Sequence, residues 1–252
     1  MRVIVLGSGT SHGVPMIGCT CTVCTSTNPK NHRYRPSIAI QHDGRTILVD
    51  TTPEMRLQAL ASGLNRVDAV LITHTHADHI FGLDDLRRFN DLSGEAIPVY
   101  AAESDQDDIR RIFRYIFVET QVGGGKPRIE LHPLPDVLEL FGLRVEVLTV
   151  MHGALPVRAF RIGPFAYVTD TNRIPEEAMA KLRGVDTLIL DAVRYEPHVT
   201  HYGLWEAVEV AKQLGARHTL FTHLSHKFDH DTANSELPPG MELAYDGQVL
   251  DF

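Results

Sequence analysis

The sequence of 252 residues lacks any apolar run close to the roughly 20 residues that span a bilayer, so we expect no transmembrane segment. Residues 1–7 enter a strand-like run without a signal-peptide cleavage pattern, which predicts a cytoplasmic protein. An excess of basic residues is also missing, because the net charge is -8 and the pI is near 5.9. This balance argues against broad binding to nucleic acid. It still allows a small anionic substrate, because metal ions can dominate a local field.

Cysteine is scarce, and its three copies, Cys19, Cys21 and Cys24, all fall within six residues. Three thiols cannot pair evenly, and disulfides are rare in the cytosol, so a disulfide framework fits poorly. A closed tetrahedral zinc site needs four ligands, and we expect the fourth to be a histidine from elsewhere in the chain. The cluster therefore predicts a structural zinc that stiffens a loop at about 13–36. A redox role for the thiols is the alternative.

Histidine is abundant by contrast, with 14 copies, and one group of polar residues directly follows the apolar run 69–72. It comprises His74, His76, Asp78 and His79. The apolar run predicts a buried strand and the segment 81–89 predicts a helix, so the group lies where a strand ends. Alternate residues of an extended chain face the same side, so His74 and His76 point one way and the other two follow in the turn. This spacing predicts a loop that supplies two neighbouring metal ions.

Other polar residues end further predicted strands. His152, Asp170 and His223 each follow an apolar run, which favours convergence on one rim of the fold. Asp50 follows another run and is either a helix cap or a carboxylate that orients the histidine loop.

Turn signals shape the prediction of the fold. Asp-Gly pairs at 43–44 and 246–247 predict two hairpins. The Gly-x-Gly at 7–9 lacks the third glycine of a dinucleotide site, and we expect it to let backbone pass close to the metal site. The glycine-rich stretch 121–127 is either a loop at the mouth of the site or a connector. Since hairpins interrupt the alternation of strands and helices, mixed sheets packed in layers with outer helices are expected, without a linker inside 1–252.

The motif His74-x-His76-x-Asp78-His79, followed by His152, Asp170 and His223 at strand ends, resembles the metallo-β-lactamase superfamily. The resemblance covers nearly the whole chain. It implies a single α/β domain, an αββα four-layer sandwich of two mixed β-sheets with outer helices. It also implies two metal ions bridged by Asp170. The ligands of the first ion would be His74, His76 and His152, and those of the second Asp78, His79 and His223.

Further segments are similar to PhnP-type phosphodiesterases: 6–10, 13–15, the cysteine cluster and 222–229. This resemblance implies that His226 completes the zinc site and that His201, just before a predicted helix, is the catalytic histidine. His201 and Asp78 are the candidate catalytic residues, and His198 is the alternative to His201. The activity implied is hydrolysis of small phosphodiesters, such as cyclic ribose phosphates. Two divalent ions, Zn or Mn, would share the attacking hydroxide, and His201 would protonate the leaving group.

Two other hydrolases use the same scaffold and remain alternatives. A transfer-RNA 3′-processing endonuclease would need a basic surface or arm, which the acidic sequence does not show. A glyoxalase II-like thioesterase usually adds a helical domain, for which no room remains after His223. The predicted partner is therefore a small phosphodiester, with neither membrane nor nucleic acid, and the resemblance also allows a homodimer.

Overall fold

The computed structural model describes residues 1–119 and 125–252, and within these ranges fourteen strands form two seven-stranded sheets. Most of the predicted glycine-rich stretch 121–127 lies outside the described residues, so its role stays a prediction. No helix in the described ranges is both long enough and apolar enough to cross a membrane.

The first sheet is mixed. Its strands are β1 (Arg2–Gly7), β2 (Ser37–His42), β3 (Arg45–Val49), β4 (Ala69–Leu71), β5 (Ile97–Ala101), β6 (Ile129–Pro133) and β14 (Val249–Asp251). They lie in the order β14-β1-β2-β3-β4-β5-β6. Pairing is antiparallel from β14 to β3 and parallel from β3 to β6. The hairpin predicted at 43–44 joins β2 to β3, as expected.

The second sheet has the same mixture of pairings. Its strands are β7 (Val137–Leu140), β8 (Leu143–His152), β9 (Leu155–Ile162), β10 (Phe165–Val168), β11 (Thr187–Asp191), β12 (His218–Thr222) and β13 (Met241–Leu243). Their order is β13-β12-β11-β10-β9-β8-β7. The strands β10 to β13 are parallel, and β7 to β10 pair antiparallel.

Helices cover the outer faces of both sheets. They are α1 (Met55–Ser62), α2 (Ala77–Ile80), α3 (Leu86–Ser93), α4 (Glu103–Ile112), α5 (Arg114–Phe117), α6 (Glu176–Leu182), α7 (Leu204–Leu214) and α8 (His230–Glu236). The helix predicted over 81–89 is interrupted, because Gly82 packs against the carbonyl of Thr52, where a Cβ would collide. Gly82 N–H also donates to the Thr51 carbonyl, outside any helical pattern.

The alternation of side chains along the strands explains the layers. Ile47 points between the two sheets and meets Phe160, whereas its neighbour Leu48 points outward beneath α1 and α3. In the second sheet, Ile189 faces the first sheet and Leu188 packs beneath α6 and α7. Both faces of both sheets are thus buried, and each such side chain contributes roughly 1.5–3 kcal/mol. The predicted αββα four-layer sandwich is confirmed.

The hairpin predicted at 246–247 is wrong. The strand before it, β13, pairs with β12 in the second sheet, whereas β14 after it pairs with β1 in the first sheet. The turn therefore crosses between sheets. Asp246 accepts hydrogen bonds from the Ser8 amide (2.8 Å), the Ser8 hydroxyl (2.8 Å) and the Tyr34 amide (2.6 Å). An Asp-Gly pair signals a tight turn but not which sheet edge receives the next strand.

The Gly-x-Gly turn allows two close approaches of backbone to backbone. A Cβ on Gly7 would collide with the Arg35 carbonyl, and one on Gly9 would lie 2.8 Å from the Arg33 carbonyl. The glycines thus allow close approach to residues 33–35. Asp246 fixes this contact, because its carboxylate holds the amides of both Ser8 and Tyr34. On its other side the turn pairs with Leu224, which directly follows His223: the Leu224 amide donates to the Ser8 carbonyl (2.8 Å) and the Thr10 amide donates to the Leu224 carbonyl (3.0 Å). The backbone therefore passes beside the metal site, as expected.

We predict that Asp246→Ala lowers the free energy of unfolding by about 1–3 kcal/mol, because two backbone amides lose their acceptor. Urea unfolding followed by circular dichroism measures this change. Asp251→Ala is the matched control: its carboxylate pairs with Arg2 on the exposed surface and should matter little. Equal stability of the two variants would contradict the role of Asp246.

Candidate metal centres

Asp50 organises the histidine loop that follows β4. Its fully buried carboxylate accepts from the Thr73 amide (2.8 Å), the Thr73 hydroxyl (2.7 Å) and Nδ1 of His79 (2.7 Å). Helix α1 begins after Glu54 and takes no side-chain cap. Of the two roles open from the sequence, Asp50 therefore has the orienting one. A carboxylate at Nδ1 fixes the tautomer of His79 and leaves Nε2 directed into the site.

Asp78, His79, Asp170 and His223 form one buried cluster whose ligand atoms lie within 4.8 Å of one another. Nε2 of His79 is 3.2 Å from Asp170 Oδ1 and 3.4 Å from Asp78 Oδ2. Nε2 of His223 is 3.3 Å from Asp170 Oδ2 and 3.7 Å from Asp78 Oδ2. Yet both nitrogens are buried without a hydrogen-bond partner among the described residues. Two buried imidazole nitrogens and two carboxylates this close together are a set of donors that a divalent cation fits.

His74, His76 and His152 lie on the other side of Asp170. Their ring centroids are 4.5–6.0 Å apart, and His74 Nε2 is 3.9 Å from Asp170 Oδ2. Nδ1 of His152 donates to the Thr200 carbonyl at 2.8 Å, which leaves Nε2 free for the site. The structure thus brings together all seven residues proposed for the two-ion centre, with Asp170 between the two groups.

Three residues at strand ends adopt a left-handed backbone. The φ angles are 63° at Asp50, 50° at Asp170 and 61° at His223. This conformation is uncommon outside glycine, and it clusters at functional sites where the surrounding structure enforces it. Here it turns a side chain at the end of β3, β10 or β12 toward the common rim.

Electrostatics within the cluster favour opposite charges. Burial disfavours the imidazolium of His223, but Asp170 and Asp78 outweigh that effect and raise the pKa of His223 to about 9. Burial likewise opposes ionisation of Asp170, yet His223 and His79 hold the pKa of Asp170 well below its usual range. Without a metal ion the carboxylates therefore retain protons on the imidazoles, and a metal ion has to displace them.

His201 lies against both groups of ligands. Its buried ring is 4.5 Å from that of His223, nearly parallel at 16°, and 4.4 Å from that of His152. Nδ1 of His201 lies 3.2 and 3.3 Å from the two carboxylate oxygens of Asp191. The Asp191 carboxylate is also 3.6 Å from Nδ1 of His223 and accepts from the Tyr202 amide at 3.1 Å. One buried carboxylate thus faces Nδ1 of two rings.

Sequence reasoning missed Asp191. The signal was present, because Asp191 ends the apolar run 187–190 just as Asp170 ends its own strand. His198, the alternative to His201, packs against His201 itself, with ring centroids 5.3 Å apart. Its Nδ1 is 3.3 Å from the Thr200 amide.

Cys19, Cys21, Cys24 and His226 form a separate group. Nδ1 of His226 lies 3.3, 3.5 and 3.7 Å from the three sulfurs in that order. Ligands at about 2.3 Å (S) and 2.0 Å (N) from a tetrahedral zinc are roughly 3.5 Å apart, so the geometry fits. The Cys24 amide lowers the pKa of Cys21 to about 6, whereas burial raises the pKa of Cys24 to about 11. All three cysteines are free of disulfides, as expected.

We expect metal binding at the two-ion centre to release protons. In the metal-free protein His223 is protonated at neutral pH, because its pKa is about 9. The apparent affinity for Zn²⁺ should therefore rise with pH at least until His223 has lost its proton, at about pH 9. Calorimetric titration in buffers of different ionisation enthalpy counts the protons released. His223→Ala should release fewer, and a pH-independent affinity would contradict the expectation.

Comparison with known proteins places this geometry in a family. The family model for a beta-lactamase superfamily domain matches residues 45–224. A protein from Porphyromonas gingivalis (strain ATCC BAA-308 / W83), named octanoyltransferase, is 38% identical over 252 residues, or 98% of this chain and 51% of that protein. The chain thus spans about half the length of that relative. The name octanoyltransferase applies to the whole relative, and about half of that protein lies outside the match.

Solved structures agree with the family model. Zn²⁺-bound PqqB from Methylobacterium extorquens has a TM-score of 0.77 at 23% identity, with 100% of both chains covered, and shares the fold. A crystal structure described as a new diphosphatase from the PhnP family has a TM-score of 0.93 at 44% identity. It covers 100% of this chain and 98% of its own. The protein is accordingly a metal-dependent hydrolase. It belongs to the metallo-β-lactamase superfamily and, within it, to the PhnP family.

Proposed function

We propose that the protein hydrolyses small phosphodiesters with two divalent metal ions. The observation that carries this proposal is the position of His201, which is oriented by Asp191 and lies against His152 and His223 from the two groups of ligands. A proton donor beside a two-ion centre suits a reaction that expels a basic oxygen. The likeness to a PhnP-family protein described as a diphosphatase supports it.

The residues at the site fit two divalent ions, and Asp170 would contribute to both. His74, His76 and His152 would hold one, and Asp78, His79 and His223 the other. Zn or Mn, when bound, would supply a nucleophile derived from water near neutral pH and would polarise a phosphate oxygen. A third metal, structural Zn, would occupy the group of Cys19, Cys21, Cys24 and His226.

The protein's own contribution is orientation and proton transfer. Asp50 holds Nδ1 of His79 so that Nε2 enters the site. Asp191 likewise holds Nδ1 of His201. Nε2 of His201 then donates a proton to the departing oxygen. A well-placed acid contributes roughly 10²–10⁴-fold. The ring contacts of His201 with His152 and His223 favour it over His198 in this role.

A panel of substrates tests the proposal. Protein loaded with Mn²⁺ or Zn²⁺ should hydrolyse bis(p-nitrophenyl) phosphate but neither a thioester nor a nitrocefin-type lactam. Asp170→Ala should reduce diester hydrolysis by about two orders of magnitude or more, because it removes the carboxylate shared by the two ions. Asp251→Ala, on the exposed surface, is the control. Thioester cleavage without diester cleavage would favour the glyoxalase II-like alternative, and a fully active Asp170→Ala protein would exclude the bridging role.

A second prediction separates the role of Asp191 from a purely structural one. Asp191→Asn should slow hydrolysis of a cyclic ribose phosphate by about 10²-fold, because its alkoxide leaving group needs a proton. Bis(p-nitrophenyl) phosphate should lose far less, because its phenolate departs unprotonated. Metal content is measured in parallel, and Asp191→Glu should restore part of the lost rate. Equal losses on both substrates would show that Asp191 acts through metal binding or folding alone.

A further inference from the structure

Thr73 is a fully buried residue that lies between the carboxylate of Asp50 and the ring of His74. The Thr73 amide donates to Asp50 Oδ1 at 2.8 Å, and the Thr73 carbonyl accepts from the Arg158 amide at 2.9 Å. Asp50 follows β3 of the first sheet and Arg158 lies in β9 of the second, so the backbone of Thr73 is held from both sheets. Because a β-branched side chain has few rotamers, its hydroxyl group is fixed as well.

The distances assign the hydrogen bonds of this hydroxyl group. Oγ1 of Thr73 lies 2.7 Å from Asp50 Oδ2 and 3.1 Å from Nδ1 of His74. A hydroxyl group has one proton to donate and a carboxylate can only accept, so the proton of Thr73 goes to Asp50. A lone pair of Oγ1 is then left to accept from Nδ1 of His74. Nδ1 of His79, which is 3.4 Å from Oγ1, donates instead to Asp50 Oδ2 at 2.7 Å.

A proton on Nδ1 leaves the other nitrogen of the ring free for a metal ion. His152 shows this arrangement, since its Nδ1 donates to the Thr200 carbonyl at 2.8 Å. For His74 the partner of Nδ1 among the described residues is Oγ1 of Thr73. A neutral imidazole with its proton on Nδ1 carries a lone pair on Nε2. Nε2 of His74 lies 2.9 Å from Nδ1 of His76, so this lone pair is next to another ligand of the first ion.

We propose that Thr73 is a positioning residue that links Asp50 to His74, so that one buried carboxylate orients ligands of both metal ions. Asp50 acts directly on His79, a ligand of the second ion, and through the hydroxyl group of Thr73 on His74, a ligand of the first. The inference rests on the two-ion centre of the proposed function. No proton moves along this chain of hydrogen bonds, which fixes the nitrogen that each ring presents to its ion.

Thr73→Val replaces the hydroxyl group with a methyl group of similar size and leaves Nδ1 of His74 without its acceptor. Groups that orient metal ligands change metal affinity by about 10–100-fold, so binding of the first ion should weaken by about 10-fold or more. Thr73→Ser keeps the hydroxyl group and should restore most of the affinity. Thr52→Val is the matched control, because Thr52 is equally buried and its hydroxyl donates to Gln58 at 2.8 Å rather than to Asp50.

The two ions are distinguished by disabling one site at a time. His223→Ala leaves the ligands of the first ion intact, and His76→Ala leaves those of the second. Binding of Mn²⁺ is measured from the paramagnetic resonance signal of the free ion, because the thiolates of the cysteine group bind this ion poorly. Thr73→Val should weaken binding strongly in the His223→Ala protein and little in the His76→Ala protein. Asp50→Asn should weaken binding in both.

The outcomes separate this inference from the proposed function. Equal weakening in the two proteins would overturn the link to His74, because the hydroxyl group would then act only through the position of Asp50. Unchanged binding in both, or a Thr73→Ser protein no better than Thr73→Val, would overturn it as well. A wild type that binds two Mn²⁺ ions but does not hydrolyse bis(p-nitrophenyl) phosphate would overturn the proposed activity alone. A wild type that binds one ion would overturn the two-ion centre and, with it, the shared role of Asp50.

Discussion

Asp170 is a fully buried carboxylate whose two oxygens face three imidazole nitrogens from two other segments of the chain. Oδ1 lies 3.2 Å from His79, and Oδ2 lies 3.3 Å from His223 and 3.9 Å from His74. A buried charge is costly unless opposite charges or a metal surround it. The end of β10 must therefore lie close to the end of β12 in the same sheet and to the end of β4 in the other sheet. The left-handed backbone at Asp170 and His223 turns these two side chains toward the common rim.

The same rim joins the two metal centres. His223 and His226 are three residues apart, and one belongs to the two-ion cluster while the other faces the cysteines. Arg33, buried within the cysteine-bearing loop, donates to the carbonyls of Ser225 (3.2 Å) and Phe228 (3.0 Å) and so holds this segment from behind. The loop at 13–36 thus supports the segment that carries His223, which gives a structural reason for a metal-binding group of three cysteines and His226 in this loop.

The sequence was most informative where chemistry is encoded within a few residues. The spacing of His74, His76, Asp78 and His79 predicts their convergence, and the apolar alternation along strands such as β3 predicts layered sheets. Relations between distant segments were harder to predict. Asp246 looked like part of a hairpin because its turn is local, but its partners Ser8 and Tyr34 lie more than 200 residues away. Asp191 was missed because its importance depends on the ring orientation of two histidines, which spacing does not reveal.

The distribution of charge links the fold to the choice of substrate. The chain is acidic overall, yet Asp50, Asp170 and Asp191, three of the carboxylates at the site, are buried against imidazoles. A cleft of about 320 Å³ beside His201 is lined by Arg194 and Lys227 and by no aspartate or glutamate among the described residues. A small anionic substrate, as proposed, would therefore meet basic side chains there despite the negative net charge of the chain. The excess of acidic residues elsewhere would disfavour a long polyanion such as RNA.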